Sequence, residues 1–405
     1  MCINKSNTSL KYSILLVIIA LVACTESFVI ETQDFSSALV VEATISNELK
    51  TQEIRLSKAF KLEEEGPFPE TNAQVEVKDE RSNTYIFIET SPGIYTSSAP
   101  FSAQNNTNYT LHIKTASGAI YESKPSRTTS NSQIESINVS LGKSLANEDE
   151  FRLQINSFDP TGSSKYYRYT YEETYQIVAP NWSPLELAIL SRIPSQVELR
   201  TKIDQSKKTC YQTLFSKDIV QTETTEQTED RVSNFTVRRL LTTDYKTGHR
   251  YSILIKQHVQ SYEGYTYYEV LKKFSNTSNI LAQSQPGFFS SNIEAITENG
   301  EKVLGFFEVT TVSSKRFFFN YRDFYETGRP EYITKCETLA PLNRLSTPME
   351  EPPVPLILAL ESEKWLYFKD NENADENNGP FLLTSKDCGD CTAFGTTVKP
   401  SFWED

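Results

Sequence analysis

Four cysteines in the second half of the chain are the residues best suited to chemistry: Cys210, Cys336, Cys388 and Cys391. In an oxidising compartment they would form disulfides, for which three pairings exist. The C-x-x-C spacing of the last two is also half of a zinc site, but no second C-x-x-C or close histidine pair completes it. A thioredoxin-like redox pair is a third alternative, which lacks the surrounding βαβ pattern. The pattern favours disulfides and predicts no metal or cofactor.

Histidines and sequence motifs give little support for catalysis. The chain has three histidines, His112, His249 and His258, and no pattern pairs them with a nucleophile. The sequence has no G-x-S-x-G, H-E-x-x-H, P-loop or G-x-G-x-x-G motif. Two carboxylates can meet in space as a glycosidase pair, but solvated surface charge is the default in so acidic a chain. We therefore expect a non-enzymatic protein without catalytic residues.

Closely spaced tyrosines could instead form a stacking platform for a ligand. Tyr167, Tyr169 and Tyr171 alternate along a predicted strand, with Tyr166 and Tyr175 nearby. Aromatic platforms bind sugars and peptides, but aromatic residues on one face of a strand ordinarily pack in a core. Core packing is the favoured interpretation.

The N-terminus resembles an export signal with a lipid-attachment site. Lys5 and Lys11 accompany an apolar run from Tyr12 to Val22, which is too short to span a bilayer and suits a secretory h-region. The run ends in Leu21-Val22-Ala23-Cys24, which resembles a bacterial lipobox. We predict a signal peptide over residues 1–23, lipidation of Cys24 and a tether over residues 24–35. The alternative is an ordinary secretory signal with a chance cysteine.

Residues 36–130 have the pattern of a small immunoglobulin-like β-sandwich. Short segments alternate apolar and polar residues, which places one face in a core and the other in water. Several such segments without a long helix are typical of this fold. The predicted strands are Ala38–Ser46, Gln52–Phe60, Ala73–Lys78, Thr84–Glu89, Gly93–Ser97, Asn108–Thr115 and Ala119–Lys124. Ser117-Gly118 is the predicted turn of the last hairpin.

Residues 131–335 are predicted to form a second β-rich sandwich domain with short helices. One helix is predicted after Ser183, as N-cap, and Pro184; a second is predicted because apolar residues recur at every third position from Tyr262 to Phe274. The polar segment Gln221–Glu229 is predicted to be a loop. The predicted strands include Phe151–Ile155, Tyr167–Tyr171, Phe235–Leu241, Tyr251–Ile255, Val303–Val312 and Arg316–Asn320.

Residues 336–405 differ in composition from the preceding residues. They are predicted to be a proline-rich linker followed by a Cys-x-x-Cys tail. Each proline restricts its own backbone and that of its predecessor. The prolines of the predicted linker are Pro341, Pro348, Pro352, Pro353 and Pro355. The segment Asp370–Gly379 is a predicted polar loop. The expected fold class is therefore mainly β, with tandem immunoglobulin-like or fibronectin-like sandwiches, short helical insertions and a cysteine-containing C-terminal tail.

The composition limits the classes of partner. The 405 residues include 40 Lys+Arg and 53 Asp+Glu, a formal net charge of −13, which argues against nucleic acid and anionic lipid surfaces as primary partners. A mean hydropathy of −0.45 excludes a polytopic membrane protein. The length is sufficient for several domains with buried cores.

Several segments resemble domain of unknown function 4249, a family of Bacteroidota surface lipoproteins. The resemblance rests on CGDCTAFGTTVKPSFW near the end of the chain, the lipobox, LVVEATIS, TCYQTLFSKDI around Cys210, and EVLKKFSNTSNILAQSQPGFFSSNIEAITENGEKVLGFFEV. It implies an outer-membrane lipoprotein often encoded beside TonB-dependent receptors, with a TonB-dependent β-barrel as partner. It implies no established activity and no catalytic residues.

Three hypotheses about function follow. The first is a non-enzymatic lipoprotein, anchored to the outer membrane at Cys24, that is an accessory or ligand-binding component of TonB-dependent uptake. The second is a surface adhesin or assembly protein, and the third is an envelope hydrolase with a cleft of convergent polar groups. Only Glu26 is acidic just after Cys24, whereas surface-exported lipoproteins of that phylum often carry an acidic cluster there. Both locations, the cell surface and the periplasmic leaflet, therefore remain alternatives. The sequence does not identify the ligand.

Overall fold

The computed structural model describes residues 38–60, 65–192, 195–275, 291–297, 303–343 and 355–404. The predicted signal peptide, Cys24, the tether and most of the proline-rich linker lie outside these residues. Within the described ranges, no helix combines the length and the apolar character needed to cross a membrane.

The N-terminal strands follow the alternation of the sequence. They are β1 (Leu39–Ser46), β2 (Glu53–Lys58), β3 (Phe68–Pro69), β4 (Gln74–Asp79), β5 (Thr84–Ser91), β6 (Ile94–Ser97), β7 (Asn108–Lys114), β8 (Ile120–Ser123) and β9 (Ser126–Arg127). All the strands predicted between residues 38 and 124 are confirmed. The predicted hairpin turn is confirmed as well, since β7 pairs with β8 and Gly118 between them has a φ of +90°.

The remainder of the described chain is also mainly strand. Its strands are β10 (Gln133–Lys143), β11 (Asp149–Phe158), β12 (Tyr166–Val178), β13 (Leu185–Arg192), β14 (Ser195–Thr201), β15 (Thr209–Phe215), β16 (Val220–Glu223), β17 (Arg231–Leu241), β18 (Arg250–Gln260), β19 (Ile293–Ala295), β20 (Val303–Asn320), β21 (Thr338–Leu339), β22 (Trp365–Asp370) and β23 (Phe381–Ser385). The α-helices are α1 (Tyr262–Ser275), α2 (Leu356–Glu361) and α3 (Lys386–Gly389). The expected class, mainly β with short helices and cysteines bonded near the C-terminus, is confirmed.

One sheet runs through most of the described chain, in the order β15-β12-β18-β20-β1-β2-β6-β5-β4-β7-β8-β19. Strands β16, β3 and β9 pair with β12, β2 and β7 beside this path. Three smaller sheets accompany it: β10-β11-β17, the hairpin β13-β14, and β21-β23-β22. The strands at the two ends of the path belong to different apolar cores.

Strand β20 connects these two cores. Its first half pairs in parallel with β1, from Leu39 opposite Val303 to Ser46 opposite Thr310. Its second half pairs antiparallel with β18. The sequence predicted two strands here, Val303–Val312 and Arg316–Asn320, and the structure has one. Strands from both sides of the predicted border near residue 131 therefore share one sheet, because β19 and β20 pair with N-terminal strands.

A glycine permits the close approach of β1 and β20. Gly305 lies opposite Val41 and has a φ of +140°, a region that side chains disfavour. A Cβ added to Gly305 would lie 2.1 Å from the Val41 carbonyl oxygen. The parallel pairing therefore requires glycine at this position.

Each core is built from residues two apart along its strands, as strand geometry requires. The N-terminal core includes Val41, Ala43, Ile54, Leu56, Val75, Val77, Leu111 and Ile113, with Phe307 and Val309 contributed by β20. The second core packs the sheet β10-β11-β17 on β12, β18 and the end of β20. There Phe151, Leu153 and Ile155 of β11 belong to one cluster with the β12 tyrosines.

One of the two predicted helices is confirmed and the other is wrong. Residues 262–275 form α1, although Tyr262 at the start of the expected buried stripe is 61% exposed. The helix predicted after Ser183-Pro184 is strand β13, which pairs with β14. Leu187 and Val197 of this hairpin pack on a small core around Leu383, so contacts with residues far along the chain outweigh the local helix signal.

Two segments predicted to be irregular contain regular structure. Gln221–Glu229 was predicted to be a loop, but its first residues belong to β16, which pairs with β12. The predicted C-terminal tail contains the sheet β21-β23-β22, α2 and α3. The polar segment Asp370–Gly379 is confirmed as a connection, because it joins β22 to β23 and Asn371 donates its backbone N–H to Pro380.

Candidate functional site

The four cysteines form two disulfides. Cys210 on β15 bonds to Cys391, 181 residues later, and Cys336 bonds to Cys388, 52 residues later. The two cysteines of the C-x-x-C segment thus have distant partners rather than each other. The bonds attach this segment both to the large sheet and to the chain before β21. Across the residues that the structure describes, no three His, Cys, Asp or Glu side chains are arranged to hold a metal ion.

The signature segment at the end of the described chain also packs on the large sheet. The Trp403 ring lies 4.9 Å from that of Tyr211 and 5.8 Å from that of Phe318, between ring centroids. The Arg316 guanidinium carbon lies 3.4 Å from the centroid of the Phe402 ring. Aromatic and cation–π contacts of this kind stabilise packing between distant segments. The Phe-Trp pair therefore helps to hold the C-terminal segment against the large sheet.

The β12 tyrosines serve packing, as the sequence favoured. Tyr167, Tyr169 and Tyr175 have no exposed surface, and Tyr171 is 7% exposed. Tyr166 points away from this group and packs on the tyrosines of α1, 5.1 Å from the Tyr265 ring centroid. These side chains do not form an open platform.

Two of the three histidines interact with side chains on neighbouring strands. His112 on β7 lies 3.2 Å from a carboxylate oxygen of Glu122 on the neighbouring strand β8. His258 lies between two hydroxyl groups: its Nε2 is 3.0 Å from Thr170 Oγ1, and its Nδ1 is 3.4 Å from Thr310 Oγ1. Burial, and then the nearby positive charges, lower the pKa of His258 well below its ordinary value, so the ring is neutral at pH 7.

A buried ion pair lies between α1 and the large sheet. Arg168 Nη2 is 2.9 Å from Glu308 Oε2, and Gln260 Nε2 donates to Glu308 Oε1 at 2.8 Å. The Tyr268 ring of α1 covers the guanidinium, whose carbon is 4.3 Å from the ring centroid. This pair was not predicted from the sequence, although Glu308 is a charged residue within the mainly apolar segment that forms the first half of β20.

A second charged cluster surrounds Glu173 on β12. Its carboxylate accepts hydrogen bonds from Tyr251 Oη at 2.6 Å, from both ends of the Arg238 guanidinium at 3.0 and 3.1 Å, and from Lys246 Nζ at 2.9 Å. Burial alone would raise the pKa of Glu173, but the Tyr251 hydrogen bond and the two cations outweigh it and lower the pKa. The carboxylate is therefore ionised and fully paired at neutral pH.

A cavity of about 530 Å³ lies at the end of β12, beside the residue that precedes β15. We call it the β12–β15 cavity. Its wall consists of residues 176–180, Trp182, Lys208, Tyr245, residues 248–249 and residues 329–333. The volume is within the range of about 300–1,000 Å³ that is usual for small-molecule sites.

The polar groups of this cavity are only partly paired. Trp182 Nε1 is buried and has no hydrogen-bond partner among the described residues. Lys208 Nζ lies 5.4 Å from the Trp182 ring centroid. Burial, and then the Arg329 charge, lower the pKa of His249 to about 4, so this histidine is neutral at pH 7. No carboxylate in the described part of the chain forms an ion pair with Arg329.

Both disulfides lie beside the walls of this cavity. Ile177, in one wall, is the register partner of Cys210. The opposite wall, residues 329–333, precedes Cys336, and Tyr332 Oη donates to the Asp387 carbonyl at 3.1 Å, next to Cys388. The loop that carries Trp182 is attached as well, since Asn181 N donates to the Cys388 carbonyl at 3.0 Å.

The structure thus brings together the four cysteines predicted as disulfide candidates and His249, and it leaves His112 and His258 elsewhere. Cys24, the predicted lipidation site, lies outside the described residues. The β12–β15 cavity was not predicted, because its wall comes from segments that are separated along the chain. No local pattern in the sequence marks Trp182, Lys208 and Arg329 as neighbours.

Comparison with known proteins gives one family. The model of a family described as "Domain of unknown function (DUF4249)" matches residues 25–316. No curated protein matches the chain in sequence. Among solved structures, trypsin-activated alpha-2-macroglobulin from Escherichia coli is 10% identical, with a TM-score of 0.17, over 57% of this chain and 15% of that one. The chain therefore spans less than a sixth of that protein's length, and so low a TM-score carries no argument.

Proposed function

Because the chain belongs to the DUF4249 family, whose function is unknown, we propose a function from its own residues. We propose that it is a lipid-anchored protein of the outer membrane that acts without catalysis, as an accessory or ligand-binding component of TonB-dependent uptake. The observation that carries this proposal is the pair of disulfides, Cys210–Cys391 and Cys336–Cys388.

Disulfides support a location outside the cytosol. Thiols are kept reduced in the cytosol of most cells, whereas disulfides form and persist in the periplasm and at the cell surface. This fits the export signal and lipobox that the sequence predicts at residues 1–24. The two features are independent, since one is a short N-terminal motif and the other is the spatial pairing of distant cysteines.

The use of the polar side chains supports a binding protein rather than an enzyme. Glu173 is paired with Arg238 and Lys246, Glu308 with Arg168, and His258 with threonine hydroxyls. These are among the buried groups that could otherwise serve acid–base chemistry. In this fold they connect strands and a helix to one another.

A membrane anchor would make weak binding sufficient. A tether over residues 24–35 would confine the β-sandwiches close to any partner in the same membrane. Confinement of this kind raises the effective concentration to about the millimolar range for a short flexible linker. A ligand-binding module held beside a transporter therefore needs little affinity for it in solution.

The anchor is tested by metabolic labelling with a fatty-acid analogue. The wild-type chain should be labelled and Cys24→Ala should not. Cys2→Ala is the matched control, because it removes another cysteine of the N-terminal segment and should leave labelling unchanged. Equal labelling of wild type and Cys24→Ala would reject the anchor, and protease accessibility in intact cells then assigns the leaflet.

The uptake role is tested by affinity purification of the tagged protein after crosslinking in intact cells. A TonB-dependent β-barrel should be recovered with the wild type and with Cys2→Ala, and in lower yield with Cys24→Ala. Recovery of no barrel would reject the uptake role, and recovery of host or matrix components instead would favour the adhesin hypothesis.

A further inference from the structure

We propose that the β12–β15 cavity binds a small organic carboxylate that has an aromatic or other apolar body. The inference deepens the proposed function by naming a ligand class, and it rests only on the ligand-binding part of that proposal. It does not depend on the anchor or on a transporter.

The shape and lining of the cavity suit an apolar ring. Its wall includes the aromatic residues Trp182, Tyr245 and Tyr332, together with Ile177 and Ile333, and polar and apolar atoms line it in similar proportion. Small-molecule sites are typically concave and mainly apolar, with a few polar groups that fix orientation. Aromatic walls hold planar rings by stacked or edge-to-face contacts. The body of the ligand is therefore expected to be apolar and preferably aromatic.

Two exposed cations of the cavity wall, Lys208 and Arg329, favour an anionic ligand. The whole chain carries a formal charge of −13, yet the cavity wall contains Lys208 and Arg329 against a single carboxylate, Glu331. His249 adds no charge at neutral pH. A guanidinium matches a carboxylate with two parallel hydrogen bonds, and Arg329 has no carboxylate partner within the described residues. An anionic ligand group would supply that partner.

Trp182 contributes its ring to the cavity wall and does not contribute its N–H as a donor. The Trp182 indole N–H is buried and unpaired within the described residues. That nitrogen has no surface open to solvent, so a ligand in the cavity would contact the indole ring and not its N–H. Lys208, stacked on the same indole, places a positive charge at this position.

The walls are held in place before any ligand binds. Ile177 lies opposite Cys210 in the β12–β15 ladder, and the loop of Trp182 is bonded to the Cys388 carbonyl through Asn181. Each of these attachments involves a disulfide. A site that is already formed loses less conformational entropy on binding, which favours small ligands.

The test uses full-length protein purified from membranes in mild detergent, with 2-naphthoate as the probe and 2-naphthamide as its uncharged analogue. Isothermal titration against a detergent blank should show saturable binding of the naphthoate, about tenfold tighter than that of the amide. Arg329→Gln should weaken naphthoate binding about tenfold, and Trp182→Leu, which removes the aromatic ring from the wall, should weaken it several-fold. Lys114→Gln, an exposed cation on β7, is the matched control and should bind like the wild type.

Several results would overturn the inference. These are no saturable binding of 2-naphthoate to folded protein, equal affinity for naphthoate and naphthamide, or equal effects of Arg329→Gln and Lys114→Gln. Recovery of a β-barrel without naphthoate binding would overturn this inference and leave the uptake role standing. Naphthoate binding without a barrel would support the inference and reject the transporter partner.

Discussion

Arg168 and Glu308 form an ion pair inside the protein, with side chains that are only 11% and 2% exposed. The pair joins β12 to β20, and the Tyr268 ring of α1 covers it. Two buried charges gain little net stability from each other, because both have lost their hydration. Removing one of them is costly, since the other is then buried without a partner.

Replacement of Glu308 alone should therefore destabilise the protein strongly. We expect Glu308→Leu to lower the free energy of unfolding by about 3–5 kcal/mol and the double variant Arg168→Met/Glu308→Leu to recover much of that loss. Urea denaturation of the oxidised protein measures both. Glu294→Ala is the control, because its exposed pair with Lys124 should contribute less than about 1 kcal/mol. Equal losses for Glu308→Leu and Glu294→Ala would contradict this account.

Glu173 should make stability depend on pH in the acid range. Its pKa is lowered in the folded protein from the ordinary value of 4.5. A carboxyl group with a lowered folded pKa contributes stability that is present above its unfolded pKa and is lost as the pH falls through the folded value. Glu173→Gln should cost about 1.5–3 kcal/mol at neutral pH and should lose less on further acidification. Urea unfolding from neutral pH down to about pH 3 tests this, and parallel pH profiles for the two proteins would refute it.

The disulfides should differ in their effect on stability. In the chain-entropy description, a cross-link stabilises by restricting the unfolded chain, and the effect grows with the length of the closed loop. The Cys210–Cys391 bond spans 181 residues and the Cys336–Cys388 bond spans 52. We expect each paired Cys→Ser variant to lose roughly 2–5 kcal/mol, with the larger loss for Cys210→Ser/Cys391→Ser. Thermal melting measures this, and a larger loss at the shorter loop would contradict the order.

Gly305 should not tolerate a side chain. A Cβ at this position would lie 2.1 Å from the Val41 carbonyl oxygen, and the backbone has a φ of +140°. We expect Gly305→Ala to cost at least about 3 kcal/mol, because strain and overpacking add. Gly328→Ala is the control: its φ is +75°, but no atom lies within 4 Å of the added Cβ, so only roughly 1–2 kcal/mol of backbone strain is expected. Similar losses for the two variants would show that the contact with β1 is unimportant.

Local alternation in the sequence predicted the N-terminal strands well, and the reason is physical. In β7, Tyr109, Leu111 and Ile113 are buried while the residues between them are not. When one face of a strand is buried, apolar and polar residues alternate along it, so the segment alone is enough to predict the strand. The helical spacing of α1 is local in the same sense, so it was also found.

Features that depend on distant contacts were not predicted. Leu185–Arg192 has apolar residues that suit a helix as well as a strand, and pairing with β14 decides between them. The continuity of β20 depends on two different partners, β1 and β18. The cysteine pairing and the β12–β15 cavity likewise depend on which segments meet in space. A single sequence does not show directly which distant segments are in contact.

The parallel pairing of β1 with β20 has a mechanical consequence. A pull on the chain ahead of Leu39, directed along the strand, would act on β1 lengthwise, against β20 on one side and β2 on the other. The hydrogen bonds of the ladder would then share the load in shear instead of opening one at a time. Strand β20 would pass that load to β18 and so to the second core. Force applied at the N-terminal side would thus be distributed through both halves of the protein before any strand separates.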